Sequence, residues 1–386
     1  MKSLWERTNA PIYVLAFTMI SYAVFIAVRL ATHDWDASYF VTAGDAATNP
    51  KDAPKALYVQ RDSAGHDGQF YYRLALDPLT DRVTDYGITL DLPAYRQQRI
   101  LYPVIVNLLS LGNVSAVPFW MIAVNYVGIC VIAWVGSNYA RALGLHAGWG
   151  LAFACYPGFV LSLARDFAEI IAAALLLAML WLVRARRPAR ATLFGALAVL
   201  ARETTALTSA SIALAGGWRS WKTRSWDARL WLAVPIVVGV AWQVYLRFNW
   251  GHFASSDSGT LSLPLVSFVT SLADKMSFST GQEIAGFVQM LLVAAFAVAA
   301  GFALKGATAE PHEKIAWILY AALACVVSGN VWSEDWSFLR NLWELYVFGA
   351  IILMTSNSRA KTPLFACWGA MWVFEYALRL DLHKAI

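Results

Sequence analysis

Charged side chains are scarce in this sequence: Asp, Glu, Lys and Arg make up 14% of its 386 residues, against 59% hydrophobic ones. A soluble domain carries about a quarter charged residues, so this composition lies far from the soluble average. Cysteine is sparse too. Cys130, Cys155, Cys325 and Cys367 all fall inside apolar runs without a CxxC spacing, which disfavours a disulfide framework or a thiolate metal site and favours packing. A small-residue cleavage site is missing after the first apolar run, 11–31, which follows Lys2 and Arg7. That run is too long for a signal-peptide core and reads as an uncleaved first span.

Long apolar runs are what the sequence has in quantity. Crossing about 30 Å of hydrocarbon takes about 20 helical residues. Stretches near 11–31, 117–140, 147–164, 167–183, 230–248, 284–304, 315–332, 342–356 and 363–380 approach or reach that length. The expected fold class is an all-α polytopic membrane protein: one transmembrane domain over 1–386, a bundle of about nine to eleven helices.

Basic residues in short loops mark the cytoplasmic side. "RARRPAR" carries Arg184, Arg186, Arg187 and Arg190 without an acid, and "WRSWKTRSWDAR" adds Arg219, Lys222, Arg224 and Arg229. With both inside, the N-terminus, Arg141, Lys305, Arg359 and Lys361 fall on the same side, and loop 32–98 lies outside. That loop holds ten aspartates against six Lys and Arg. The net charge of +5 therefore expresses a polarised molecule, and nucleic-acid binding is not needed to explain it.

Two places break the alternation. Between the basic loops lies "ATLFGALAVLARETTALTSASIALAGG", with Arg202-Glu203-Thr204 at its midpoint. A single crossing would separate the two basic ends, so we expect two half-helices that enter from the cytoplasm, turn at Arg202-Glu203 and return. "RILYPVIVNLLSL", 99–111, is too short to cross and is expected along or in the outer leaflet. Asp34, Asp36, Asp45, Asp62, Asp67, Asp166, Glu169, His252, Glu334, Asp335 and Arg340 then gather at the outer half of the bundle, with Arg202 and Glu203 reaching towards them. Ionisable groups at membrane depth signal a functional site.

Plainer roles compete at single positions. Arg202 and Glu203 could neutralise each other or cap the half-helices. Asp166 and Glu169, three apart on one helix face, could cap its N-terminus. Glu375 and Arg379 read as an interfacial ion pair, and Trp332 and Trp336 as interfacial anchors. "DGQFYY" reads as a short helix lying on the membrane, with Asp67 at or just before its first turn and Phe70, Tyr71 and Tyr72 in succession.

The strings "DGQFYYRLALDP" (67–78), "YRQQRILYP" (95–103), "YPGFVLSLARDFAEIIAAALLLAML" and "LFGALAVLARETTAL" resemble the integral-membrane C-type glycosyltransferases, GT-C. The likeness is to bacterial members linked to cell-surface polysaccharide assembly, and distantly to the PIG-V and PIG-M mannosyltransferases. It covers about residues 10–215. One departure matters: many such enzymes carry two adjacent acids, whereas here Gly68 follows Asp67, so any second carboxylate role falls to Asp36, to Asp62 or to no residue. The resemblance implies a GT-C-like bundle with a re-entrant half-helix pair and a long first extracytoplasmic loop bearing short interfacial helices and the catalytic motif. It implies an inverting transfer of sugar from a polyprenyl-phosphate donor to a hydroxyl of a glycan or glycolipid acceptor, at the outer face of a bacterial inner membrane. Asp67 would be the general base. Arg340 and Arg202 would hold the donor phosphate, with Arg96 or Arg99 next in line. Asp36, His66, Gln69, Tyr71, Arg99, Glu169 and Glu203 would contact substrate, and the aromatics of "FYY" could stack on sugar. Membrane lipids are the other expected partners; no metal ligands and no cofactor beyond the lipid-linked donor are expected.

Other classes remain open. A polysaccharide polymerase or ligase would use a polymeric lipid-linked donor and outer loops rich in Arg and His. A secondary transporter would show a second broken helix pair, which this sequence lacks. A non-catalytic partner in a glycopolymer complex is the third.

Overall fold

The computed structural model describes residues 8–257, 259, 261–333 and 335–380. It is 71% helical, and among the described residues there are 19 α-helices and no closed sheet. In chain order the helices are α1 Pro11–Ala31, α2 Gly68–Leu76, α3 Pro93–Gln97, α4 Leu101–Ser110, α5 Val117–Ala142, α6 Leu151–Ala154, α7 Pro157–Ala164, α8 Glu169–Arg184, α9 Pro188–Ala201 and α10 Ala206–Thr223. They continue with α11 Val234–Trp250, α12 Ala254–Asp257, α13 Val266–Lys275, α14 Gly281–Ala303, α15 Pro311–Val326, α16 Gly329–Trp332, α17 Asp335–Asn341, α18 Trp343–Met354 and α19 Lys361–Leu378.

Among the described residues four helices are long and apolar enough to cross a membrane: α1, α5 and α11 with the 3-10 turns that lead into them, and α14. The expected span 147–164 is instead bent by 50° between α6 and α7. Pro157 opens α7; it has no N–H to give and disfavours helical backbone in the residue before it, so one straight rod cannot form. The expected span 315–332 also ends early. Val327 turns extended and the backbone of Ser262 bonds to Val326 O at 2.6 Å, so a segment of the 251–280 loop closes off the helix end.

The chain runs back and forth between two ends of the molecule. At one end Asn9 caps Ala147 N at 2.8 Å, Arg184 meets Glu313 at 2.9 Å, and Thr308 N bonds to Thr355 O at 3.1 Å. At the other end lie Asp67, Arg99, Glu169, Arg202 and Arg340. Helix α8 carries Glu169 in its first turn and Arg184 in its last, both signs favourable to its dipole. Pro188 opens α9, which runs up to Arg202; the backbone there is extended, a single 3-10 turn follows over Glu203–Thr205, and α10 descends. Val183, Arg186, Arg219 and Arg229 line one cleft, so α9 and α10 leave and return to the same basic end. This is the geometry expected of the broken pair.

Loop 32–98 is a folded unit. Strands β1 Ala43–Gly44 and β2 Val59–Gln60 pair in parallel, and β3 Thr84–Asp85 and β4 Ile88–Thr89 form a hairpin. Tyr86 and Gly87 both take positive φ at its turn, the backbone a two-residue hairpin favours. Helix α2 stops at Asp77 because Pro78 follows.

Sequence expectation and structure differ on how α2 is placed. All its residues but Leu76 are buried, so it is no surface-lying helix. Phe70, Tyr71 and Tyr72 belong to the core and are closed off from any sugar. Trp332 is likewise buried, its ring stacked on Phe338 at 5.7 Å and edge-on to Phe268 at 5.0 Å, so it is not an interfacial anchor. The side chain of Trp336 and all of Glu334, Lys2 and Arg7 lie outside the described residues. The pair Glu375–Arg379 forms, at 3.5 Å, but Glu375 is buried and also accepts from Gln289 at 2.5 Å; it is an interior group. All four cysteines are free thiols, and Cys367 alone is exposed.

Candidate active site

Asp67 occupies the N-cap position of α2, but its carboxylate does not cap the helix. It reaches instead to two arginines far apart in the chain: Arg340 donates to Oδ2 at 2.7 Å and Arg96 approaches Oδ1 at 2.8 Å. Asp67 is only 7% exposed. Burial alone would raise its carboxyl, yet the Arg340 and Arg96 guanidiniums hold it well below the usual carboxylate range. Arg96 is itself fixed by a two-point contact to Asp91, at 2.8 and 2.7 Å.

Gly68 explains the missing second acid. A Cβ there would lie 2.4 Å from Arg165 O and 2.5 Å from Val41 O. The backbone of α2 is pressed so closely against two carbonyls that no side chain fits, whatever its charge.

Glu169 is the hub of the cluster. Its Oε1 lies 2.8 Å from Arg202, 3.4 Å from Arg99 and 3.6 Å from Arg340. Its other oxygen is buried without a hydrogen-bond partner. Arg202 also donates to Glu344 at 3.1 Å, Thr204 Oγ1 at 3.0 Å and Asn341 Oδ1 at 2.7 Å, while the Thr204 hydroxyl donates to Glu344. Arg99 forks onto Glu203 at 3.2 and 3.3 Å and reaches the Tyr71 hydroxyl at 3.4 Å. The cluster balances Asp67, Glu169, Glu203 and Glu344 against Arg96, Arg99, Arg202 and Arg340. Balance is what permits so many buried charges, because each desolvated ion has an opposite neighbour.

The cluster opens on a cleft of about 660 Å³. Arg99, Arg202, Glu203, Thr204 and Asn341 form its polar wall, and Phe253, Leu261, Leu323, Val327 and Val331 its apolar one. Asp67 and Arg340 stand behind Arg99 and Glu169 and do not line it. Of the carboxylates, Glu203 faces the cleft, with 32% of its side chain exposed.

The predicted residues divide accordingly. Asp67, Tyr71, Arg99, Glu169, Arg202, Glu203 and Arg340 are brought together. Asp36 is not: it caps a 3-10 turn through Ser38 N at 2.8 Å and stays in the exposed part of the loop. Gln69 is a strut, accepting from Gly44 N and Thr48 and donating to Ala64 O. His66 lies edge-on to Phe167, the ring beneath the Arg340 guanidinium; burial and the nearby Arg165 charge push its imidazole down to about 3, so it is neutral at neutral pH. Asp166 does not share a helix face with Glu169, since α8 starts at Glu169 and Asp166 sits in the break with φ of 51°. Glu344, Asn341 and Thr204 were not anticipated. Glu344 had a signal, a lone acid inside the apolar run 342–356; Asn341 and Thr204 had none. Among the described residues no group of three or more His, Cys, Asp or Glu side chains is arranged to hold a metal ion.

No protein-family model matches this chain, and no curated protein does.

Proposed function

We propose that the protein spans a bacterial plasma membrane in about nine to eleven crossings, with the carboxylate–arginine cluster outside, and transfers a sugar from a polyprenyl-phosphate donor to an acceptor hydroxyl with inversion. One observation carries the reading: Asp67, in the first outer loop, is joined at 2.7 Å to Arg340, 273 residues further on, inside a buried ionic network. That network forms the polar wall of a cleft that is otherwise mostly apolar. A lipid-linked phosphate needs both kinds of wall, arginine forks for its oxygens and aliphatic surface for its chain.

In the transfer, a carboxylate takes the proton of the acceptor hydroxyl as its oxygen attacks the anomeric carbon opposite the phosphate. The carbon–oxygen bond to phosphate breaks, and the phosphate departs as an anion among the guanidiniums. An Asp67 held by two arginines is a weak base. Donor phosphate competes for the same guanidiniums, and any drawn away from Asp67 restores its basicity. The carboxylate of Glu203 offers a second reading for the base, favoured by its position in the cleft.

The discriminating experiment compares Asp67→Asn, Asp67→Glu and Glu203→Gln in a transfer assay with radiolabelled polyprenyl-phosphate sugars, normalised to folded protein. Loss of a general base costs about 10² to 10⁴ in rate. Asp67 as base requires that loss in Asp67→Asn, a smaller loss in Asp67→Glu, which keeps a carboxylate, and Glu203→Gln less affected; loss in Glu203→Gln with Asp67→Asn less affected assigns Glu203. Wild-type rates in all three would sink the acid–base scheme.

A further inference from the structure

At the end of the molecule opposite Asp67, three arginines without a close acceptor face one cleft. Its volume is about 560 Å³, and Arg184, Arg186, Arg219, Arg229, Asp227 and His312 are among the side chains that line it. Arg184 is occupied, forking onto Glu313 at 2.9 and 3.0 Å. Arg186, Arg219 and Arg229 donate no side-chain hydrogen bond among the described residues. Carboxylates stand beyond hydrogen-bond reach, at 3.7 Å from Arg229 and 3.8 Å from Arg219, and Arg186 has no ion-pair partner among the described residues.

The acids of this end are accounted for by the backbone. Asp227 accepts from Arg229 N at 2.9 Å as the cap of a 3-10 turn, and Glu310 and Glu313 form the capping box that opens α15. Four arginines against these three acids leave the cleft positive. His312, in the first turn of α15, is 1% exposed, and neither ring nitrogen has a hydrogen-bond partner. Its closest carboxylates stand at 3.9 and 4.0 Å. Burial lowers its pKa, and the neutral ring has one N–H to give. A buried donor is unfavourable unless an acceptor enters. Membrane sidedness accounts for arginines in these loops; it does not account for their convergence on a concave site with a buried, unbonded imidazole in its wall.

We infer that this cleft binds a phosphate group, with Arg186, Arg219 and Arg229 on its oxygens and His312 giving it an N–H. Guanidinium forks match phosphate oxygens in geometry and charge. A phosphate monoester presents three acceptor oxygens against two in a carboxylate, which suits donors converging from four separate segments of chain. A lipid headgroup and a water-soluble ester offer the same group, and the test below separates them. The inference uses neither sugar transfer nor a membrane orientation, so either reading can fail while the other stands.

Native mass spectrometry of the full chain in neutral detergent and phosphate-free buffer tests the site, with glycerol 3-phosphate, phosphatidic acid and phosphatidylcholine of the same acyl chains as probes. Saturable binding of glycerol 3-phosphate identifies a water-soluble source. Phosphatidic acid bound without it, and well above phosphatidylcholine, identifies a headgroup. In either case Arg186→Ala/Arg219→Ala should weaken binding at least about tenfold, the worth of one charge-assisted hydrogen bond. Arg190→Ala/Lys222→Ala removes the same charge from equally exposed positions outside the cleft and should stay within about twofold of wild type, since screened surface charge contributes little. The proposal is overturned if neither phosphate probe binds saturably, if phosphatidylcholine binds as well as phosphatidic acid while glycerol 3-phosphate does not bind, or if the two double variants behave alike. Should Arg186→Ala/Arg219→Ala melt early, His312 carries the test. His312→Leu, which removes the donor, must weaken the same binding more than His312→Asn, which keeps an N–H; equal effects would overturn the proposal as well.

Discussion

The proposed transfer gives Asp67 two jobs that conflict. As the anionic partner of Arg340 and Arg96 it holds loop 32–98 to the helix Asp335–Asn341, and as a base it would have to give up part of that grip. Asp67→Asn keeps the shape of the side chain but strands guanidiniums in a buried site. Breaking a buried pair costs about 3–5 kcal/mol; Arg96 keeps Asp91 and Arg340 keeps Glu169 at 3.6 Å, which points to the lower end. The pH dependence follows. The folded carboxyl lies below its unfolded value, so the stabilisation is present above the ordinary carboxylate range and is lost as pH falls through that range towards the lower folded value. Thermal melting from pH 7 downward should therefore start lower for Asp67→Asn than for wild type, and the gap should narrow in acid. A gap that widens on acidification would show that Asp67 is not the ionised partner of these arginines.

At the scale of elements, α2 is positioned by contact as much as by charge. It packs through Phe70, Tyr71 and Tyr72 into the core, and its first residue abuts the carbonyls of Val41 and Arg165. Gly68→Asp would recreate the adjacent acid pair of the resembled enzymes. We expect it to destabilise by more than the about 1–3 kcal/mol typical of overpacking, because backbone rather than a flexible side chain stands in the way. A melting temperature at or above wild type would disprove this account of the close approach. The short ascent and return of α9 and α10 has a similar logic: an extended Arg202 backbone aims one guanidinium at Glu169, Glu344 and Asn341 together, which the middle of a continuous helix would direct differently.

For the molecule as a whole, the separation of charge is the organising feature, with the balanced cluster at one end and the arginine cleft at the other. Cysteine labelling by a membrane-impermeant maleimide in intact cells measures its orientation. In a Cys367→Ser background, Arg61→Cys should be labelled from outside and Ala189→Cys only after permeabilisation. Both positions are exposed, so lack of label reports sidedness and not burial. The reverse pattern would place the cluster in the cytoplasm and remove the basis for a lipid-linked donor.

Apolar runs, their lengths and the basic loops are local properties, and reading along the chain was enough to anticipate the helical class, the broken pair around Arg202 and the ends at which Asp67, Glu169, Arg202 and Arg340 lie. Patterns of that kind report which residues avoid water. They do not report which neighbour a buried residue finds. Hence Gln69 proved to be a loop strut, Phe70 and Tyr72 core residues, Asp36 a cap, and Glu344 an unforeseen partner of Arg202. Asp36 apart, whose cap is local, those outcomes depend on contacts between segments, 142 residues apart for Glu344 with Arg202, and the site itself depends on one of 273, Asp67 with Arg340. Only folding brings such groups close enough for a carboxylate to choose its arginine, because Coulomb attraction and hydrogen bonding act over a few ångströms and not along the chain.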